Sequence, residues 1–322
     1  MKSIHWLPPE NWDSKKKILN YPLASVRLRM AMFLHPTFRN YRVTFSDSCN
    51  IKEVDYLFVA KMGVNRISYT NQFVNLVNQA IENNKKVFID YTDHHLGNSN
   101  SEMYDFYNKI INKNVNVTVS SNLLREEIKN YCKEGFLIED PYEIDIQKVT
   151  KNNNRTFLWF GHPSNSSYLF KFLSNWKPNY LCNLYIMTSP EGLNHASLEL
   201  NKINLSHNIQ IKLFYWSLEN MLRIKESISG ILIPGDTKSI KKNVSNNRLI
   251  TSFALGCPVA ATYYDSYLEY KKYFCNIDDD EEFNSFFEDN SFYRKKVSEA
   301  QILIKDYSVH KITNKWLSIL SK

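Results

Sequence analysis

Short apolar runs alternate along this chain with longer amphipathic segments, and the alternation holds nearly from end to end. In the first half the runs predict strands at Ser3–Leu7, Tyr41–Phe45, Tyr56–Ala60, Val87–Tyr91, Val115–Val119 and Phe136–Ile138. Helical spacing predicts helices at Ala24–Leu34, Asn71–Asn83, Met103–Ile111 and Leu123–Cys132; in Asn71–Asn83 the residues Phe73, Val74, Val77 and Ile81 share one face. A polar stretch, Gln147–Arg155, then breaks the pattern and reads as a linker. The alternation restarts with strands at Thr156–Gly161, Asn183–Thr188, Ile209–Phe214, Gly230–Pro234 and Pro258–Thr262. Helices are predicted at Ser167–Leu173, Leu218–Lys225 and Asn247–Leu255. Glu281–Ser321 reads as mostly helical, with Phe283, Phe286 and Phe287 as an apolar face. Strands separated by helices require parallel crossovers, so the class is α/β. Two Rossmann-like domains with a cleft between them are expected. The first covers residues 1–145 and the second 146–322, with the C-terminal helices counted in the second and free to pack back on the first.

Composition narrows the function classes. A length of 322 residues suits two domains, and a hydrophobic fraction of 43% can fill a core in each. The net charge of +7 is dispersed, which fits a phosphate-rich ligand or an anionic membrane surface better than nucleic acid. Cys49, Cys132, Cys182, Cys257 and Cys275 are odd in number and form no CxxC pair, so neither a disulfide framework nor a zinc site is expected. The N-terminus does not read as a signal peptide, and no apolar run is long enough to span a bilayer. A cytoplasmic protein is expected, with peripheral contact at the inner face of the cytoplasmic membrane as the alternative. No P-loop, GxGxxG, GxSxG or HExxH occurs.

The segment Ser245–Ala261 carries the strongest chemical signal. It reads as an amphipathic helix, a glycine break and a proline-led apolar strand. Before it, the run Gly230–Ile233 ends in Pro234, Gly235 and Asp236, followed by a loop with Lys238, Lys241 and Lys242. Ser245 is a candidate N-cap, and Asn247 and Arg248 fall in the first turn. A helix N-terminus with a guanidinium beside it forms an anion site, here for a diphosphate. A solvated basic loop capping an ordinary helix would use the same residues.

Three further segments end strands in polar groups. Thr156–Tyr168 delivers Gly161, His162 and Asn165; a glycine lets a ligand approach the backbone, while His162-Pro163 can equally serve to turn the chain. Val87–His95 runs into Asp90, Asp93, His94 and His95, and Asp93 or His94 could accept a proton from a hydroxyl. Adjacent side chains diverge, so a metal shared by the two histidines is not expected. Ser121 or Asn122 is best explained as a helix cap.

The segment at 245–261 resembles the donor-binding motif of GT-B glycosyltransferases. The likeness is to the large retaining, family four-like group of bacterial surface-polysaccharide enzymes. Many of them carry S-P-x-K-x-x-E-(Y/A)-(M/A)-A-x-G-x-P-V-(V/I)-A, matched here at Ser245, Arg248, Ala254, Gly256, Pro258, Val259 and Ala261. The resemblance implies a GT-B architecture and a nucleotide-sugar donor whose phosphates meet Arg248. The family's ribose-binding acid is Thr251 here; a hydroxyl can bond a ribose but gives no bidentate carboxylate contact. The resemblance also implies cleft positions for Gly161, His162 and Asn165, and a base at Asp93 or His94. Ala24–Met30 loosely resembles an S-x-R-x-R run, which makes Arg27 the candidate for an acceptor or phosphate contact. The implied reaction is hexosyl transfer to a hydroxyl of a glycan or lipid-linked glycan, in capsule or lipopolysaccharide synthesis. No metal or other cofactor is expected, because Arg248 and helix dipoles would carry the leaving charge. Three alternatives stay open. One is a donor with a CMP-activated acidic sugar such as Kdo or sialic acid, since His162-Pro163 resembles a pair in such transferases. The others are a nucleotide-sugar epimerase of the same architecture and a non-catalytic nucleotide- or glycan-binding module.

Overall fold

In the computed structural model the described residues are 1–9, 21, 23–237 and 245–321, without the side chains of residues 64 and 65. They form two compact units. One comprises Met1–Pro141, Asn243–Ser245 and Val309–Lys322; the other comprises Tyr142–Lys242 and Asn246–Ser308.

The first unit runs β1 (Lys2–Leu7), α1 (Ala24–Leu28), β2 (Tyr41–Phe45), β3 (Tyr56–Val59), α2 (Thr70–Glu82), β4 (Lys86–Asp90), α3 (Tyr104–Ile110), β5 (Asn116–Val119), α4 (Asn122–Ile128) and β6 (Glu134–Leu137). Its strands form one parallel sheet in the order β2-β1-β3-β4-β5-β6. The apolar stripes of α2, α3 and α4 cover one face. The other face carries α1, the 3-10 turns after it, and the last helix of the chain, Val309–Ser321. There Trp316 is fully buried, edge-on to Trp6 and Phe33 at ring distances of 6.0 and 5.1 Å.

The second unit runs β7 (Thr156–Phe160), α5 (Ser166–Asn175), β8 (Cys182–Thr188), α6 (Pro190–Leu200), β9 (Ile209–Tyr215), α7 (Leu218–Ile224), β10 (Gly230–Ile233), α8 (Asn247–Ala254), β11 (Val259–Ala261), β12 (Cys275–Asn276), α9 (Asp280–Glu288) and α10 (Ser291–Leu303). Its parallel sheet has the order β12-β11-β10-β7-β8-β9. Every residue of β7 and β10 is buried, as expected for parallel strands covered on both faces. Helices α5, α6 and α9 pack on one face. Helices α7, α8 and α10 pack on the other.

Several expectations are corrected in detail. The boundary drawn at 145/146, within an expected range of 141–155, falls at Pro141/Tyr142, and the final helix does pack back on the first unit, whose core its apolar face fills. The polar stretch Gln147–Arg155 is not a free linker. The Gln147 amide donates to the Ala254 carbonyl at 2.7 Å, and the Thr150 amide to the Gly256 carbonyl at 2.8 Å. Gly256, at φ +78°, ends α8 in the left-handed region. A Cβ there would stand 2.4 Å from the Lys148 carbonyl oxygen, so this strap can dock only on glycine. The helix expected at Ala24–Leu34 breaks at Arg29 and continues as a 3-10 turn, Met30–Leu34. Helix α6 and the two-residue β12 were not expected.

Candidate functional site

In a doubly wound sheet, ligands bind outside the carboxyl ends of the strands where the strand order reverses. In the second unit that point lies between β7 and β10. Gly161 follows β7 directly, and its carbonyl accepts a hydrogen bond from the Thr188 hydroxyl at 2.8 Å, at the end of β8. The Trp216 amide in turn donates to the Thr188 carbonyl at 2.9 Å. Three adjacent strand ends are thus tied together. On the β10 side, the Gly235 amide donates to the Thr262 hydroxyl at 2.8 Å and the Asp236 amide to the Tyr264 hydroxyl at 3.1 Å.

Arg248 sits in the first turn of α8 and reaches this point. Its Nη1 would be 3.4 Å from a Cβ built on Gly161, which places the guanidinium beside the backbone that follows β7. Tyr267 lies on the other side; burial raises its hydroxyl above the ordinary range, opposed by the charge of Arg248 and a hydrogen bond to it. Nη1 itself is buried and has no hydrogen-bond partner among the described residues. A buried charged donor left unpaired costs more than about 1–3 kcal/mol, so the arrangement favours an anion at that atom.

The remaining residues expected to bind a donor fare differently. His162 is exposed; its Nδ1 accepts from the Ser164 amide at 3.2 Å and caps the 3-10 turn Pro163–Asn165. The turning role of His162-Pro163 is therefore real, and His35-Pro36-Thr37 repeats it in the first unit, with a 3.3 Å bond. Asn165 is half-buried just before α5. Ser245 is not the cap of α8: that residue is Asn246, which makes no side-chain cap bond and whose amide lies 3.5 Å from Glu269. Asn247 opens the helix and is half-buried. Thr251 is 1% exposed and faces the core, so its hydroxyl is not presented to a ligand. Lys238, Lys241 and Lys242 lie outside the described residues.

In the first unit the strand ends gather ionisable groups. The Asp93 carboxylate pairs with the Lys61 ammonium at 2.6 Å, and His94 Nδ1 lies 3.1 Å from a Glu127 carboxylate oxygen on α4. His95 stacks on Tyr107 with ring centroids 5.0 Å apart, and its Nδ1 pairs with the Ser101 hydroxyl at 2.7 Å. Burial lowers His95 below the usual histidine range, and Lys61 adds to the effect while Asp93 opposes it. Arg27 is buried, and its guanidinium donates to the Tyr21 carbonyl. Arg29 is 1% exposed and grips Asp90 with bonds of 2.7 and 2.9 Å from Nε, and Asp140 at 3.1 Å. Burial alone would lower Arg29; the charges of Asp90 and then Asp140 outweigh it and hold it above its ordinary value.

Sequence reasoning missed Lys61 and Glu127. Glu127 stands beside Glu126 in what reads as an ordinary solvated helix start, so no local signal marks it. Among the described residues, no three His, Cys, Asp or Glu side chains lie close enough to hold a metal ion.

The chain matches no protein-family model, and a comparison with curated proteins finds no match either. Its fold is similar to solved structures. Anabaena Alr3699/HepE, in complex with UDP and glucose, aligns over 100% of both chains at 10% identity with a TM-score of 0.65. AviGT4, a glycosyltransferase involved in avilamycin A biosynthesis, aligns over 98% of this chain and 96% of its own at 10% identity and a TM-score of 0.54. The two parallel six-stranded sheets are the two Rossmann-like domains of the GT-B fold.

Proposed function

We propose that this protein is a glycosyltransferase that moves a sugar from a nucleotide-activated donor to a hydroxyl of a glycan or lipid-linked glycan. The observation that carries the reading is the Arg248 guanidinium, whose buried Nη1, without a hydrogen-bond partner among the described residues, lies against Gly161 where the strand order of the second sheet reverses. In this proposal Arg248 and the N-terminus of α8 bind the donor diphosphate and stabilise it as it leaves, without a metal. Gly161, Asn165, His162 and Asn247 border the donor. Asp93 or His94 accepts the acceptor's proton, and the Glu127 carboxylate favours His94, because it holds the ring and supports the charge it gains. Assembly of a surface polysaccharide, capsule or lipopolysaccharide, is the setting we assign. No described helix is long and apolar enough to cross a membrane, and the net charge of +7 supports peripheral contact with an anionic leaflet.

A second donor class stays open. Position 251, where the resembling enzymes keep a ribose-binding acid, is Thr here, and His162-Pro163 resembles a pair in transferases that use a CMP-activated acidic sugar, the alternative to UDP- and GDP-sugars.

Thermal shift against UDP, GDP, CMP, ADP and dTDP tests the reading, with Arg248→Ala beside the parent. A nucleotide that binds the native state raises the melting temperature. A shift with one nucleotide, lost in the variant, names the donor class; no shift with any of them overturns the proposal. Turnover of the donor without an acceptor would favour an epimerase.

A further inference from the structure

On the face of the second sheet opposite α8, a groove of about 450 Å³ runs between α5 and α9. Its volume lies within the roughly 300–1,000 Å³ common for small-ligand sites. One wall is Tyr168, Lys171 and Asn175 of α5; the facing wall is Asp278, Asp280 and Asn284. Pro234 and Gly235 close the end at the strand termini.

The floor is aromatic and ordered. Phe172 is half-buried, while Trp176 and Phe283 are 8% and 4% exposed. Phe283 stands edge-on to Phe172 at 5.5 Å and to Trp176 at 5.6 Å. The rim carries both donors and acceptors. The lysines only donate, the carboxylates only accept, and the two amides do both. Formal charge cancels, with Lys171 and Lys177 against Asp278 and Asp280. A polyanion finds no net attraction there. A ligand with apolar C–H faces and a ring of hydroxyls, each donor and acceptor at once, satisfies floor and rim together.

We propose that this groove binds a neutral oligosaccharide. It is a glycan site of the second unit, lined by none of Gly161, His162, Asn165, Asn247 and Arg248, and it does not depend on the transfer reading.

The test is binding of the full-length protein to an array of neutral gluco-, manno-, galacto- and N-acetylhexosamine oligosaccharides, with sialylated glycans and peptides alongside. The tightest neutral binder is then titrated against Asn284→Ala, Phe172→Ala and Arg248→Ala. Asn284 is exposed and Phe172 half-buried; circular dichroism checks that each variant is folded. The expected result is a neutral glycan whose affinity drops roughly tenfold or more in the two groove variants and is kept in Arg248→Ala. Absence of any neutral binder, preference for a charged glycan or a peptide, or affinity unchanged by the groove variants would overturn the proposal. The nucleotide shift is read separately, so failure of the donor reading would leave this result standing.

Discussion

The His94 ring rests on the backbone of Gly97, so closely that a Cβ at position 97 would stand 2.0 Å from Nε2. Glycine there leaves space for the imidazole whose Nδ1 lies 3.1 Å from Glu127. Gly97→Ala is expected to leave the melting temperature nearly unchanged, because one movable side chain absorbs the clash and surface changes usually stay within about 0.5 kcal/mol. It should shift the His94 ring resonances in an NMR spectrum and, if the proposed transfer reaction uses His94 as its base, lower the rate. Unmoved resonances would show that His94 is not held in this way.

Gly256→Ala acts on the fold rather than the chemistry. The backbone conformation at φ +78° costs a residue with a Cβ about 1–2 kcal/mol, before the contact with the Lys148 carbonyl is counted. Melting should fall by several degrees, at about 2–4 °C per kcal/mol for a unit of this size. Proteolysis at residues 147–151 should accelerate as the strap comes away.

Acid should weaken the first unit through its histidines. Burial lowers both His5 and His95 in the folded state. Below about pH 6.5 the unfolded chain takes up protons that the folded state refuses, so stability is full above that value and falls as the pH drops toward the folded values. His95→Gln should lower stability at every pH, since the stack on Tyr107 is lost. It should also flatten the dependence between about pH 7.5 and 5.5. An unchanged slope in denaturant titrations would rule out this contribution from His95.

Trp316→Ala should cost about 3–5 kcal/mol, the usual range for removing a fully buried large aromatic. The loss includes its contact with Arg29, whose guanidinium carbon lies 5.0 Å from the ring centroid. Urea unfolding followed by Trp fluorescence measures it.

Much of this architecture is legible in the chain because parallel strands buried on both faces are continuous apolar runs. Most strands are found to within one or two residues, and the half-exposed edge strand Tyr41–Phe45 to the residue. What is hidden has physical causes. The two residues of β12 are too few to show a period. Helix α6 carries Gly192 and has only a weak apolar stripe, so its clear signals are the Ser189 cap and Pro190. The strap at 147–155 is polar in composition yet fixed by backbone bonds, which composition does not report. At the candidate site, Arg248 and Gly161 are visible as a basic residue in a helix's first turn and a glycine ending a strand. Glu127 reaches His94 from a distant part of the sequence, and only the folded chain shows it.

Helix α11 (Val309–Ser321) has a consequence for the order in which this protein matures on the ribosome. Domains generally fold as units, N-terminal first, as the chain is made at about 5–20 residues per second. Here the first unit's core is completed by Ile312, Trp316, Ile319 and Leu320, which leave the exit tunnel after the whole second unit. The second unit, whose own residues end at Ser308, can close its core earlier. The unit synthesised first must wait, with the surface around Trp6, Phe33 and Phe58 uncovered, until Val309–Ser321 has emerged. A stalled or prematurely terminated chain therefore exposes an aromatic face for chaperones to recognise.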